Sequence, residues 1–117
     1  GFRHLDTALT YDNAACLGAA VAESGLDRGE VFIATKLHPG ETGQQASGDV
    51  EAIWEAQFSE HLAELRTDYV DMLMLHFPGS SEDETTAAWR FLERLHRQGL
   101  FSVSQTLLDC VIKGAIR

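Results

Sequence analysis

The sequence predicts an α/β fold built on a parallel sheet. Short β-type runs alternate with helical stretches along most of the chain. The run Val31-Phe32-Ile33-Ala34-Thr35 is continuously β-type with no polar alternation, as a strand covered on both faces requires. Glycines stand just past two helical stretches, at Gly25 and Gly99, where a helix C-terminus favours them. Repeated strand–helix units of this kind imply right-handed crossovers. Two architectures fit: a doubly wound open sheet, or part of a (β/α)8 barrel. No phosphate-binding glycine fingerprint follows any strand, so a nucleotide-binding doubly wound fold has no support.

The elements follow in order. Residues 1–6 read as a short strand leading into a loop over 7–12. Residues 13–24 are Ala-rich and helical, ending at Gly25. After the strand at 31–35, residues 38–48 carry Pro39, Gly40, Gly43 and Gly48, which mark a loop. The next helix has Asp49 as N-cap, and Val50, Ile53, Trp54, Gln57, Phe58, His61, Leu62 and Leu65 fall on one stripe. Trp54 and Phe58 are expected in the core, and Glu51, Glu55, Glu60 and Glu64 on a solvated face. Residues 69–76 give the third strand. Ser81-x-x-Glu84 is a capping box opening a helix with Ala88, Phe91, Leu92 and Leu95 on its apolar side. A fourth strand over 100–103 and a short helix over 105–115 complete the chain.

Composition excludes several classes. The 117 residues hold 9 Lys+Arg against 18 Asp+Glu, a formal charge of −9. Nucleic acid is not an expected partner, because binding it needs a basic patch. No apolar run approaches the ~18 residues of a membrane span, so no membrane partner is expected. Residues 41–93 hold 12 acidic and two basic residues, whereas residues 94–117 hold four basic and one acidic. Cys16 and Cys110 form neither a disulfide framework nor a Cys-x-x-Cys motif. Both are expected to be small core residues in a reducing compartment, which points to the cytoplasm. The opening Gly1-Phe2-Arg3-His4-Leu5-Asp6 lacks an initiator Met and reads as the inside of a strand, so residues upstream are expected to be missing.

Three strands end on ionisable side chains: Asp6, Lys36 and His76. Tyr11 lies in the loop after the first strand. A lone Asp, Lys or His at such a place is usually a turn, solvated or structural residue. Three consecutive strands each delivering one is a pattern, and in α/β barrels this end of the strands builds the active site. Free tyrosine, with a pKa near ~10, is a poor proton donor at neutral pH. Lys36 would stabilise the phenolate left after proton donation, and Asp6 would hold Lys36 in place. His76 would donate a hydrogen bond to the substrate oxygen that Tyr11 protonates. The set suits protonation of a carbonyl oxygen while hydride reaches its carbon, and no residue stands out as a nucleophile.

Gly1-Phe2-Arg3-His4-Leu5-Asp6-Thr7-Ala8-x-x-Tyr11-x-Asn13 resembles the aldo-keto reductase signature. So do Ala34-Thr35-Lys36-Leu37 and the stretch from Leu62-x-x-Leu65-x-x-Asp68-Tyr69 through Leu75-His76-Phe77-Pro78. The resemblance implies a (β/α)8 TIM barrel, here partial, with about four βα units. It implies NADPH-dependent reduction of a small-molecule aldehyde or ketone. Tyr11 would be the general acid, Asp6 and Lys36 its supporting pair, with Asp6 also on the cofactor side. His76 would orient substrate, and Phe77 would line its pocket. In this reading residues 1–98 form the partial reductase domain and 99–117 a divergent tail.

That family usually continues past Gly99 into a strand ending in a Ser-Asn pair that holds the nicotinamide. Here Leu100-Phe101-Ser102-Val103-Ser104-Gln105 offers Ser104 without the Asn. The chain is therefore expected to carry the catalytic half of the site without most of the cofactor half. An open half-barrel would expose sheet edges and self-associate through them. The 117 residues alone are expected to show no NADPH-dependent turnover. Two other readings remain: a catalytically inactive remnant acting as an interaction fragment, and a metal-dependent barrel hydrolase using His4, Asp6 and His76. The second is disfavoured because Lys36 would repel the cation; no metal is expected.

Overall fold

The computed structural model describes residues 1–41 and 49–103 of the chain. Strand β1 (His4–Asp6) leads to helix α1 (Ala14–Glu23), then β2 (Phe32–Leu37), α2 (Val50–Leu65), β3 (Val70–Leu75), α3 (Glu82–Arg97) and β4 (Phe101–Val103). Short 3₁₀ turns at Arg28–Glu30 and Pro39–Glu41 flank β2. The expected helix over 105–115, the Ser104 position and Cys110 lie outside the described residues.

The four strands are parallel and stand in the order β1-β2-β3-β4. This order separates the two architectures the sequence left open. A doubly wound sheet reverses its strand order at a switch point. Here every crossover advances the same way, so right-handed connections stack all the helices on one face. The register places His4 beside Phe32, Asp6 beside Ala34, and Lys36 beside Met74. Strand alternation then sets Ile33, Thr35, Leu37, Leu73 and Leu75 on one face, all buried. His4, Asp6, Phe32, Lys36, Met72 and Met74 lie on the other face, and each keeps some solvent exposure.

The helical stripes fill the covered face. Trp54, Phe58, Leu62 and Leu65 of α2 join Ala88, Phe91, Leu92 and Leu95 of α3 in one core. The Trp54 and Phe91 rings meet 5.7 Å apart. Helix α1 reaches α2 through Gly18, where a Cβ would collide with the backbone of Glu64 and Leu65. Asp49 caps α2 by accepting from the Glu51 amide at 3.1 Å. Gly99, at φ +76°, turns the chain out of α3 into β4 in the left-handed region that glycine enters without strain.

Two expectations need correction, Cys16 and the capping box, and two gain detail. Cys16 is exposed on α1, so it is no core residue. Glu51 and Glu55 lie on the solvated face as expected and are also paired: the Arg94 guanidinium approaches them at 3.5 and 3.1 Å and links α3 to α2. The capping box is only half formed. Ser81 Oγ accepts from the Glu84 amide at 3.1 Å, but the Glu84 carboxylate accepts from the amide and hydroxyl of Ser80, one residue earlier than the motif implies. The loop expected from residue 38 opens with the 3₁₀ turn at Pro39–Glu41.

Arg28 fastens the strand ends opposite the candidate site. Its guanidinium donates to Thr67 Oγ1 at 2.9 Å, Val31 O at 2.6 Å, Tyr69 O at 3.0 Å and Asp71 Oδ2 at 2.8 Å. It also lies 4.2 Å from the Tyr69 ring centre. Asp71 Oδ2 accepts in addition from the Ile33 amide at 2.8 Å. Arg28→Ala would leave that carboxylate and two carbonyls short of partners in a half-buried setting. We expect a loss of about 2–3 kcal/mol by denaturant unfolding. Arg28→Lys should recover little, because an ammonium cannot reproduce the planar fork. Full recovery by Lys would show that charge alone matters.

Candidate active site

The strand ends gather the candidate residues. Asp6 closes β1, Lys36 is the penultimate residue of β2, and His76 directly follows β3. Pairing continues past the strands: the Thr7 amide donates to Ala34 O at 2.9 Å, Leu9 to Lys36 O at 3.1 Å, and His76 to Leu37 O at 2.7 Å. The loop bearing Tyr11 therefore runs along the end of β2. Thr7 Oγ1 donates to Asn13 Oδ1 at 2.6 Å and closes the loop at its base. Asn13 serves this contact and makes no side-chain cap on α1. Asp12, at φ 51°, makes the sharp turn after Tyr11, a left-handed conformation that Asp tolerates better than most residues.

Lys36 is the centre of the group. Its Nζ donates to Asp6 Oδ2 at 2.6 Å and to Thr7 O at 3.0 Å. The Lys36 side chain is only 13 % exposed, whereas that of Asp6 is 55 % exposed. The same Nζ lies 5.1 Å from the centre of the Tyr11 ring, within cation–π range. The Tyr11 ring meets His76 edge-on at 5.5 Å. Phe77 stacks on His76, with ring centres 4.6 Å apart and 26° between planes. Tyr11 and Phe77 remain 45 % and 53 % exposed, so the cluster is open to a ligand. All five residues named from the sequence thus come together.

His38 was missed. Its ring lies 6.1 Å from His76 and 5.2 Å from Phe77. The sequence signal was its place two residues after Lys36, hidden by the turn residues Pro39 and Gly40 that make the segment read as plain loop. The proposed metal ligands do not assemble. His4 packs on Phe32 at 4.6 Å, Asp6 Oδ2 is taken by Lys36, and the described residues hold no group of three or more His, Cys, Asp or Glu placed for a metal ion.

Behind the sheet, His61 on α2 reaches Thr35 Oγ1 at 2.8 Å. Burial pushes its pKa down to about 4. The unfolded chain takes up that proton near ~6.5. Between these values the unfolded state binds more protons, so stability falls as pH drops from about 6.5 to about 4. We expect urea midpoints to decline over this window and the decline to flatten in His61→Asn. Identical slopes in the two proteins would show that His61 does not titrate this way.

A family model described as the Aldo/keto reductase family matches residues 1–104. An aldo-keto reductase of Mycolicibacterium vanbaalenii is 38 % identical over 100 residues, covering 86 % of this chain and 33 % of that protein. The glyoxal reductase of Bacillus subtilis is 34 % identical over 99 residues, covering 85 % of this chain and 33 % of that one. A crystal structure of a Bombyx mori aldo-keto reductase in complex with NADP superposes with a TM-score of 0.69 at 26 % identity, covering 91 % of this chain and 36 % of that one. The chain thus spans about a third of the length of these relatives, and its four parallel strands are a segment of the (β/α)8 barrel. Among the described residues no helix is long and apolar enough to cross a membrane. Sequence, strand order and the match over residues 1–104 agree: this chain belongs to the aldo/keto reductase family.

Proposed function

We propose that Asp6, Tyr11, Lys36 and His76 form the carbonyl-protonating side of an NADPH-dependent reductase site that converts an aldehyde or ketone to an alcohol. One observation carries the reading most: Lys36 Nζ, held by Asp6, lies against the Tyr11 ring, and that ring faces His76. NADPH, when bound, supplies the hydride that the carbonyl carbon accepts. The Tyr11 hydroxyl gives its proton to the carbonyl oxygen, and solvent returns a proton to the phenolate afterwards. The Lys36 ammonium stabilises that phenolate as it forms. Asp6 keeps the ammonium in place, leaving its other carboxylate lone pairs for donors on the cofactor side. His76 donates to the same oxygen and orients it, and the exposed Phe77 ring offers an apolar wall.

These four side chains fit the carbonyl side of such a site. Lys36 is engaged by Asp6 and Thr7, Arg28 by Asp71, and Arg94 by Glu51 and Glu55. A pyrophosphate needs cationic or amide donors, and these three cations are already paired within the chain. The activity of the whole protein is part of the proposal, and its test uses the protein at its full natural length. Oxidation of NADPH should follow addition of propanal or methylglyoxal. Absence of turnover with both, with cofactor shown to bind, would reject the reading.

A further inference from the structure

Phe77 is 53 % exposed, so packing alone does not aim its ring. It meets the rings of His76 and His38 at 4.6 and 5.2 Å. Its direction depends on the backbone of residues 76–81, which join β3 to α3. The strands fix the near end of that connection: the His76 amide donates to Leu37 O at 2.7 Å. Helix α3 fixes the far end. Thr85 Oγ1 accepts from the Gly79 amide at 2.9 Å and donates to Ser81 O at 2.9 Å. Glu84 Oε2 accepts from both the amide and the hydroxyl of Ser80.

Helix capping does not explain this Glu84 contact. A capping box sends the carboxylate of the third helical residue to the amide of the cap residue, here Ser81. Glu84 takes the two donors of Ser80 instead, one residue closer to Phe77. These bonds hold the Glu84 carboxyl below its usual range, the Ser80 hydroxyl more than the amide. Room for the Glu84 side chain comes from Gly79. A Cβ there would stand 2.8 Å from Glu84 Cγ and 2.9 Å from Glu84 Cβ. Gly79 has no positive φ, so what this latch requires of it is the missing side chain.

We propose that Glu84 is a positioning residue for the reduction, holding the 76–81 connection so that the Phe77 ring walls the substrate. The inference rests on the reductase reading above. The Glu84 carboxylate is spent on Ser80 and acts on the substrate only through Phe77. The His76 backbone is held separately by Leu37 O. The latch therefore governs binding of the substrate's apolar part rather than the chemical step.

Steady-state kinetics of the full-length protein with benzaldehyde and saturating NADPH test this. Glu84→Ala should raise KM for benzaldehyde about tenfold, the worth of one aromatic contact, and leave kcat within about twofold. Gly79→Ala removes no group but displaces the Glu84 side chain, and should do the same. Glu84→Gln keeps an acceptor and should recover part of the loss. In a Phe77→Ala background, Glu84→Ala should raise KM no further, because its effect passes through the ring. A lower thermal midpoint with unchanged KM in both Glu84→Ala and Gly79→Ala would show a plain capping role and overturn the proposal. A further rise in KM in the Phe77→Ala background would overturn it too. Either result leaves the reductase reading standing. Failure of the unsubstituted protein to reduce benzaldehyde, propanal or methylglyoxal would overturn both.

Discussion

Tyr11→Phe should lower carbonyl reduction by about 10²–10⁴-fold, the usual contribution of a positioned general acid. The substitution removes one hydroxyl and little else. Phe keeps a ring to meet His76 edge-on, at 5.5 Å in the parent, and a face for the Lys36 ammonium, at 5.1 Å. Position 11 is 45 % exposed, so losing the hydroxyl should not unfold the chain. The dissociation constant for NADPH should barely move, because Tyr11 acts on the substrate oxygen. Steady-state kinetics with a saturating aldehyde, together with a cofactor titration, check both parts. Turnover near the parent rate would remove Tyr11 from the mechanism.

Lys36→Met should have the next largest effect, a loss of about 10²-fold or more in kcat, and larger than that of His76→Gln. Removing the ammonium leaves the departing proton's phenolate without its counter-charge, whereas removing His76 affects only orientation of the oxygen. The stability cost should be small by comparison. Asp6 is already 55 % exposed and returns to water when its partner goes. Asp6→Asn should be milder than Lys36→Met, because an amide oxygen can still accept from Nζ. Thermal unfolding measured beside kcat separates the two effects. A Lys36→Met protein of parental rate, or one whose rate loss merely follows its unfolding, would contradict the assignment.

Much of this site was legible because barrels use one end of their strands. Asp6, Lys36 and His76 each end a β-type run, so their convergence follows once the strands are parallel and adjacent. Tyr11 was legible through its chemistry and its motif rather than its position, since a loop residue five positions beyond a strand has no place fixed by periodicity. Its place depends on the Thr7–Asn13 bond and the left-handed turn at Asp12. His38 was illegible for the same reason, being the first residue past a strand in a segment rich in turn signals.

Local residue chemistry by itself determined the element types, the apolar stripes of α2 and α3 and the cap at Asp49, because each depends on neighbours within a few positions. It also determined that the strands are parallel, since each is separated from the next by a helix-length crossover. The tertiary structure decided what depends on distant partners. Strand order chose the barrel segment over the doubly wound sheet. Packing placed His61 against Thr35, and Cys16 at the surface. Long-range geometry gave Arg28 its partners at Thr67, Tyr69 and Asp71 and drew Arg94 toward Glu51 and Glu55. Those contacts join residues some forty positions apart, and no local pattern in the chain records which charge will meet which.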